Sequence, residues 1–272
     1  QQVINDQNTR VVAILTRHHT HARQTMTALK AGKSVFCEKP LAIIREDVDE
    51  IESLLNEITN EGGQEKDSRP ILMVGFNRRF APFTQQLAEY FKERTEPLFV
   101  HYRVNAGYIP LSHWVQDHQQ GGGRIIGECC HFIDFITFLA GSAPIDVHAN
   151  ALPDLGKYCQ DNVTITLTFA DGSLGVIDYL ANGDKSLPKE YAEVFCGGKV
   201  AILDDYRELI MIGNGKRKVK RSLLRQDKGH REEWEAFLRA IQNQGNPPIP
   251  YDQILGVSRA CFMAVEALSK KP

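Results

Sequence analysis

Residues 124–139 constrain the fold more than any other stretch. Ile125, Ile126, Cys129, Cys130, Phe132, Ile133, Phe135, Ile136, Phe138 and Leu139 make this segment apolar nearly all round. A helix of that character is buried, so other elements must cover it on most sides. Glu128, His131 and Asp134 interrupt the apolar surface at i, i+3 and i+6, a spacing that sets the imidazole beside both carboxylates on an α-helix. Ionisable groups in such surroundings are costly unless paired, and their proton affinities shift. The segment therefore carries either a structural triad that satisfies itself or a reactive imidazole.

Upstream, short buried strands alternate with helices. Residues 11–15 read as a strand, and a helical run over 24–30 stops at Gly32, which suits the left-handed turn that ends a helix. Residues 34–37 form the next strand, with Glu38 and Lys39 at its carboxyl end. Pro40 keeps Lys39 in extended backbone, on the edge of an open α/β sheet where ligands bind. The alternative for Lys39 is a solvated surface charge. An amphipathic helix over 47–58, a polar loop over 61–70 and a strand over 71–75 follow, and the strand ends in Asn77-Arg78-Arg79. These arginines read either as surface charge or as ligand contacts. The turn Thr16-Arg17-His18-His19-Thr20-His21 invites a metal site. Neighbours in one turn rarely converge on an ion, however, and no Cys, Asp or Glu lies nearby, so no metal is expected. Thr20 is a suitable N-cap for the helix that follows.

A helix over 82–92 and a strand over 98–104 open a second region. The loop Asn105-Ala106-Gly107-Tyr108-Ile109-Pro110, with His113-Trp114, is suited to gripping a sugar-like ring or simply to covering the sheet. Gly121-Gly122-Gly123 reads as the entry to the apolar helix. From residue 145 strands dominate: Val163, Ile165, Leu167 and Phe169 alternate, and Asp171-Gly172 marks a hairpin. Strands over 191–196, 199–203 and 208–212 complete an open antiparallel sheet, covered by helices on one side. Basic residues 216–225 read as a solvated loop. Two amphipathic helices close the chain, marked by Trp234, Phe237, Leu238 and Ile241, then by Ile254, Val257, Cys261, Val265 and Leu268.

The chain has 272 residues, enough for two domains or one large one, and a formal charge of −2 that offers no attraction to nucleic acid or an anionic membrane. No apolar run reaches the roughly 20 residues that span a bilayer. The six cysteines show no C-x-x-C pair and no zinc-site spacing, which points to a reducing cytoplasm.

Val11-Val12-Ala13-Ile14-Leu15-Thr16, His21, Ala31-Gly32-Lys33, Glu38-Lys39-Pro40, Gly75-Phe76-Asn77-Arg78-Arg79-Phe80, Gly121-Gly122-Gly123 and His131-Phe132-Ile133-Asp134 occur in that order. The set resembles the Gfo/Idh/MocA oxidoreductases, NAD(P)-dependent sugar and cyclitol dehydrogenases. The resemblance implies an α/β fold: a truncated Rossmann-like parallel sheet over 1–77, then an α+β domain over 78–272 with an open, mostly antiparallel sheet. It implies hydride transfer between NAD or NADP and a hydroxyl carbon of a sugar, cyclitol or nucleotide sugar. His131 and Lys39 would be catalytic, with Asp134 or Glu128 orienting the imidazole. Thr16, Arg17, His18, His21, Glu38 and Lys39 would border the cofactor. Asn77, Arg78, Asn105, Tyr108 and Trp114 would contact the substrate, and the open sheet face would join copies of the chain into a homo-oligomer.

The sequence departs from the family pattern in three places. No Gly-x-Gly-x-x-Gly occurs, so the chain reads as the C-terminal part of a longer protein that would bind the cofactor when whole. Arg17 stands where relatives usually carry proline. Gly127 stands where relatives often carry aspartate, and Glu128, one residue on, would project about 100° away around an α-helix. The wording of the Asn105–Pro110 and Gly127–His131 stretches also resembles a bi-domain branch in which this module follows a zinc-type alcohol dehydrogenase. A non-catalytic sugar-sensing or scaffolding protein is the rival reading. Gly127 and the absent glycine loop favour it, whereas intact Lys39 and His131 favour an enzyme.

Overall fold

The computed structural model describes residues 2–60, 69–222 and 225–269; the loop expected over 61–70 lies mostly outside them. A short helix α1 (Gln2–Asn5) precedes β1 (Val11–Ile14), α2 (His21–Lys30), β2 (Ser34–Cys37), α3 (Arg45–Asn60) and β3 (Leu72–Val74). The three strands are parallel in the order β1-β2-β3. Strand β2 is buried at all four positions, as expected for a parallel strand covered on both faces. Gly32 adopts φ +70° and terminates α2 as its position requires. Thr20 does not cap α2 with its side chain. Its hydroxyl instead donates to the Arg17 carbonyl at 2.9 Å and meets the Thr16 hydroxyl at 2.6 Å.

After a 3₁₀ turn at Asn77–Phe80 come α4 (Pro82–Phe91) and β4 (Phe99–Asn105). A π-helical turn over Ile125–Cys129 then runs into α5 (Cys130–Ala140). The remaining strands are β5 (Asp146–Ala151), β6 (Asn162–Thr168), β7 (Leu174–Leu180), β8 (Glu190–Cys196), β9 (Lys199–Asp204), β10 (Glu208–Gly213) and β11 (Lys216–Arg221). They join β4 in an eight-stranded sheet of order β11-β10-β9-β8-β4-β7-β6-β5. Only the β4–β7 pairing is parallel, so the sheet is mixed but mostly antiparallel. The chain ends in α6 (His230–Gln242) and α7 (Tyr251–Ser269).

Nine of the eleven α5 residues are buried, including Phe132, Ile133, Phe135 and Ile136. Each such side chain withdrawn from water contributes roughly 1.5–3 kcal/mol. Helix α7 packs along α5 and reaches β5 and α3. Trp234 of α6 stacks on Phe36 of β2 at 4.2 Å between ring centroids. The last two helices thus return to the first sheet, and one continuous core runs from Ile14 through Phe132 to Leu268.

Two local expectations are corrected. The basic stretch begins not as a loop but as edge strand β11, paired with β10 in register Glu208↔Arg221. Both faces of that strand are largely solvated, so it shows no apolar alternation, and its charges protect the sheet edge from further pairing. The apolar helix is not α-helical throughout. Its first turn is π-helical, so the 100° step assumed for Gly127 and Glu128 does not hold there.

Candidate active site

Two backbone hydrogen bonds and one from a side chain hold the strand tips in place. The Glu38 amide donates to the Ile14 carbonyl at 2.9 Å, and the Gly75 amide donates to the Cys37 carbonyl at 2.8 Å. Lys39, half-buried beyond β2, donates its ammonium to the Gly127 carbonyl of the π turn at 2.8 Å. This last bond ties the first sheet to the buried helix. Buried His21 lies between the tips, with Nδ1 2.7 Å from the Pro40 carbonyl oxygen and Nε2 2.9 Å from the Thr16 carbonyl oxygen.

Lys39 lines a cavity of ≈ 290 Å³ with His18, Arg78, Trp114, Gly127, Glu128, His131, Phe132 and Lys189. That is near the small end of ligand pockets, which span about 300–1,000 Å³. A cavity of ≈ 340 Å³ at the opposite, amino-terminal end of the first sheet is lined by Lys33, Ser34, Ile71 and Tyr251, away from the edge where α/β sheets bind ligands.

The imidazole of His131 is half-enclosed, and its buried Nδ1 has no hydrogen-bond partner among the described residues. Burial, reinforced by the cations Arg78, Lys39 and Lys189, holds it well below the usual histidine range, so the ring is neutral and able to accept a proton. His18 is also neutral: burial lowers it to about 4. Its Nδ1 donates to the Gly121 carbonyl at 2.8 Å, which leaves Nε2 unprotonated. Trp114 meets the His18 ring edge-on at 4.7 Å.

Glu128 reaches the cavity from the π turn. It accepts from the Tyr179 hydroxyl at 2.7 Å and from Arg124 at 3.3 Å. Burial disfavours its charge, but Arg124, Lys189 and Tyr179 more than offset this and keep it below the usual glutamate range. Space is already taken at Gly127, because a Cβ there would lie 3.0 Å from His18 Cε1. A side chain at Gly127 would therefore need the His18 ring to shift by a few tenths of an ångström.

The expected pairing of His131 with a carboxylate is corrected. Asp134 turns from the cavity and is bound by the guanidinium of Arg79, which also donates to Gln253 at 2.9 Å. Glu128 is engaged by Arg124 and Tyr179 instead. In the Asn77–Phe80 turn only Arg78 lines the cavity, held by Glu190 at 2.7 and 2.9 Å. Asn77 donates to the Lys228 carbonyl at 2.8 Å. Asn105 is spent on the Asp184 and Leu187 carbonyls at 2.6 and 3.0 Å. Tyr108 is 43% exposed and packs on Tyr158. Thr16 is solvated and bonded to Thr20 and Gln24, while Arg17 sits over Trp114 and donates to Gln120. Glu38 lies behind Lys39, its carboxylate against Gly75. Sequence reasoning did not find Lys189, Phe132 or the Arg124–Glu128–Tyr179 group. A lysine directly before a buried strand-initial glutamate was the only available signal for Lys189.

A parallel α/β sheet whose strand tips face a polar cavity, followed by a second, mostly antiparallel sheet, defines a two-part α/β fold. Residues 1–64 match the model of the oxidoreductase family with an NAD-binding Rossmann fold, GFO_IDH_MocA, and residues 95–196 match the Gfo/Idh/MocA C-terminal domain. The chain belongs to the Gfo/Idh/MocA family. It is 26% identical over 260 residues to the myo-inositol 2-dehydrogenase of Thermotoga maritima, covering 91% of this chain and 73% of that protein. It is 29% identical over 214 residues to the levoglucosan dehydrogenase of Pseudarthrobacter phenanthrenivorans, covering 67% of this chain and 52% of that one. A solved levoglucosan dehydrogenase in complex with NADH and levoglucosan superposes with a TM-score of 0.80 at 22% identity, covering 99% of this chain and 80% of that structure; this likeness speaks for the fold alone. No helix among the described residues is long and apolar enough to cross a membrane.

Proposed function

We propose that the cavity is the substrate site of a dehydrogenase that moves hydride between NAD or NADP and a hydroxyl carbon of a sugar, cyclitol or nucleotide sugar. The observation that carries this reading is the convergence of Lys39 and a neutral His131 on one cavity at the carboxyl edge of the parallel sheet. Family relatives named as inositol and levoglucosan dehydrogenases support it. Lys39 and His18, beyond the tips of β2 and β1, fit the nicotinamide end of the cofactor, and the 272 residues contain no Gly-x-Gly-x-x-Gly to hold its pyrophosphate. The bound nicotinamide supplies the hydride acceptor. His131 takes the proton of the substrate hydroxyl, a contribution worth roughly 10²–10⁴ in rate. Lys39 holds the same oxygen and stabilises its developing negative charge. His18 and Trp114 shape the wall beside them.

We also propose that copies associate through the open face of the eight-stranded sheet, where Phe99, Leu174 and Phe195 on adjacent strands are each 41% exposed, and that the protein works in a cytoplasmic setting. Sedimentation should then report an oligomer. The test of the activity is NADH fluorescence quenching followed by a panel of polyols. Lys39→Ala should lower turnover by roughly 10²–10³ without abolishing polyol binding. Polyol binding without any nicotinamide binding would select a sensor over an enzyme.

A further inference from the structure

The ≈ 340 Å³ cavity at the amino-terminal end of the first sheet has three basic residues in its wall and, among the described residues, no carboxylate. Arg10 enters it just before β1, Lys33 just before β2 and Arg69 shortly before β3. The parallel register Val11↔Ser34 and Val35↔Leu72 brings these three strand starts side by side. Arg10 and Arg69 make no hydrogen bond or ion pair among the described residues, and the Nε of Arg69 is buried without an acceptor among them. Lys33 is partly met. Its ammonium donates to the Asp6 carbonyl at 3.0 Å and lies in the field of the Asp6 carboxylate. That carboxylate in turn accepts from the Asn8 amide at 3.0 Å and the Thr9 hydroxyl at 2.9 Å. Glu57 lines the adjoining groove, which shares Gly32, Ile58 and Pro70 with the cavity, but not the cavity itself. Two hydroxyls add further donors. Ser34 accepts from the Ile71 amide at 3.1 Å and Tyr251 from the Leu72 amide at 3.2 Å, and neither gives its own proton to a described residue.

We propose that this cavity is a second ligand site, separate from the Lys39–His131 cavity, and that it binds a phosphate monoester with an apolar body. A buried donor left without an acceptor is costly, and an anion supplies the missing acceptors through charge-assisted hydrogen bonds. A dianion suits the site better than a carboxylate, because two unpaired guanidinium groups and a partly compensated ammonium exceed a single positive charge. Each guanidinium can also bond two phosphate oxygens at once. The apolar body follows from Ile58, Pro70, Ile71 and Ile241 in the same wall, which a bare phosphate ion would leave in contact with water. The site stands at the far end of β2 from Lys39, so its ligand takes no part in hydride transfer.

Isothermal titration with phenyl phosphate, inorganic phosphate, benzoate and phenol tests the site. Phenyl phosphate should bind once per chain and roughly tenfold or more tightly than each of the other three, with its affinity falling as salt rises. Arg69→Gln should weaken it roughly tenfold. Arg10→Gln, at an exposed position where folding is not at stake, should weaken it by about threefold or more. Tighter binding of benzoate overturns the phosphate class, and equal binding of inorganic and phenyl phosphate overturns the apolar body. Affinity that both variants leave unchanged puts the ligand elsewhere and overturns the site, as does absence of binding to protein with a native circular dichroism spectrum. None of these outcomes bears on the dehydrogenase reading, because Arg10 and Arg69 lie outside the Lys39 cavity.

Discussion

The two ends of the buried helical segment treat their polar groups in opposite ways. At the α-helical end, Asp134 is fully buried and enclosed by Arg79, which in turn holds Gln253. At the π-helical end, Glu128 is partly exposed, the Gly127 carbonyl accepts from Lys39, and one turn further His131 keeps a buried nitrogen without a partner among the described residues. Both ends are lined by arginines and carboxylates, so residue type does not separate them. Completeness of pairing does. A closed pair contributes to the fold and has no bonding capacity left over, whereas an incomplete set next to an open volume is equipped to bind something. The wider π turn helps to create the difference, since it brings both Gly127 and Glu128 to the cavity wall.

The contrast can be broken most severely at Asp134. Asp134→Ala leaves Arg79 buried and unpaired, and should lower stability by about 3–5 kcal/mol in urea unfolding. Asp134→Leu combined with Arg79→Met should recover most of that loss, because an apolar replacement of the whole pair leaves no orphaned charge. His131→Asn should do the reverse: stability stays within about 1 kcal/mol, while kcat/KM for the polyol substrate falls roughly 10²–10⁴. If His131→Asn proves as destabilising as Asp134→Ala, the imidazole belongs to the structural end.

Glu233 of α6 sharpens the comparison from outside the helix. It is 2% exposed, and burial together with the nearby Glu38 and Asp134 carboxylates raises it to about 9. A carboxyl whose folded value lies above its ordinary 4.5 costs nothing below that pH. It then subtracts stability progressively as pH rises towards about 9, because the unfolded chain releases the proton first. Glu233→Gln should therefore stabilise the protein by about 1–3 kcal/mol at pH 8, with the gain vanishing near pH 4. A pH-independent difference would show that Glu233 is already ionised in the folded state.

The smallest effect is expected at Gly127. Gly127→Ala forces the His18 ring to yield by a few tenths of an ångström, costing about 1 kcal/mol. Loosening the bond from His18 to the Gly121 carbonyl, which favours the protonated ring, should move the His18 imidazole further down from about 4, as read by NMR titration. An unchanged titration would mean that the two residues are not sterically coupled.

Much of the architecture was readable along the chain because its signals are local. Strand β2 is buried at every position and ends in Glu38-Lys39, β6 alternates residue by residue, and Gly172 at φ +83° turns the hairpin between β6 and β7. The apolar run of α5 announced a buried helix. Strand β11 was illegible for the complementary reason: an edge strand solvated on both faces carries no periodicity, only backbone pairing with β10.

By itself, then, the sequence determined the alternation of strands and helices, the burial of the central helix, and the residue types at the strand tips. These follow from side-chain spacing over a few residues, which fixes the solvent-facing and core-facing sides of each element. Only the tertiary structure decided which polar groups meet. Lys39 finds Gly127 across 88 residues, His18 finds Gly121 across 103, and Arg78 finds Glu190 across 112. Arg79 takes Asp134 from the histidine that lies three residues before it on the helix. Partner choice of this kind depends on which side chains the core brings within about 3 Å of one another, and no local pattern encodes that distance.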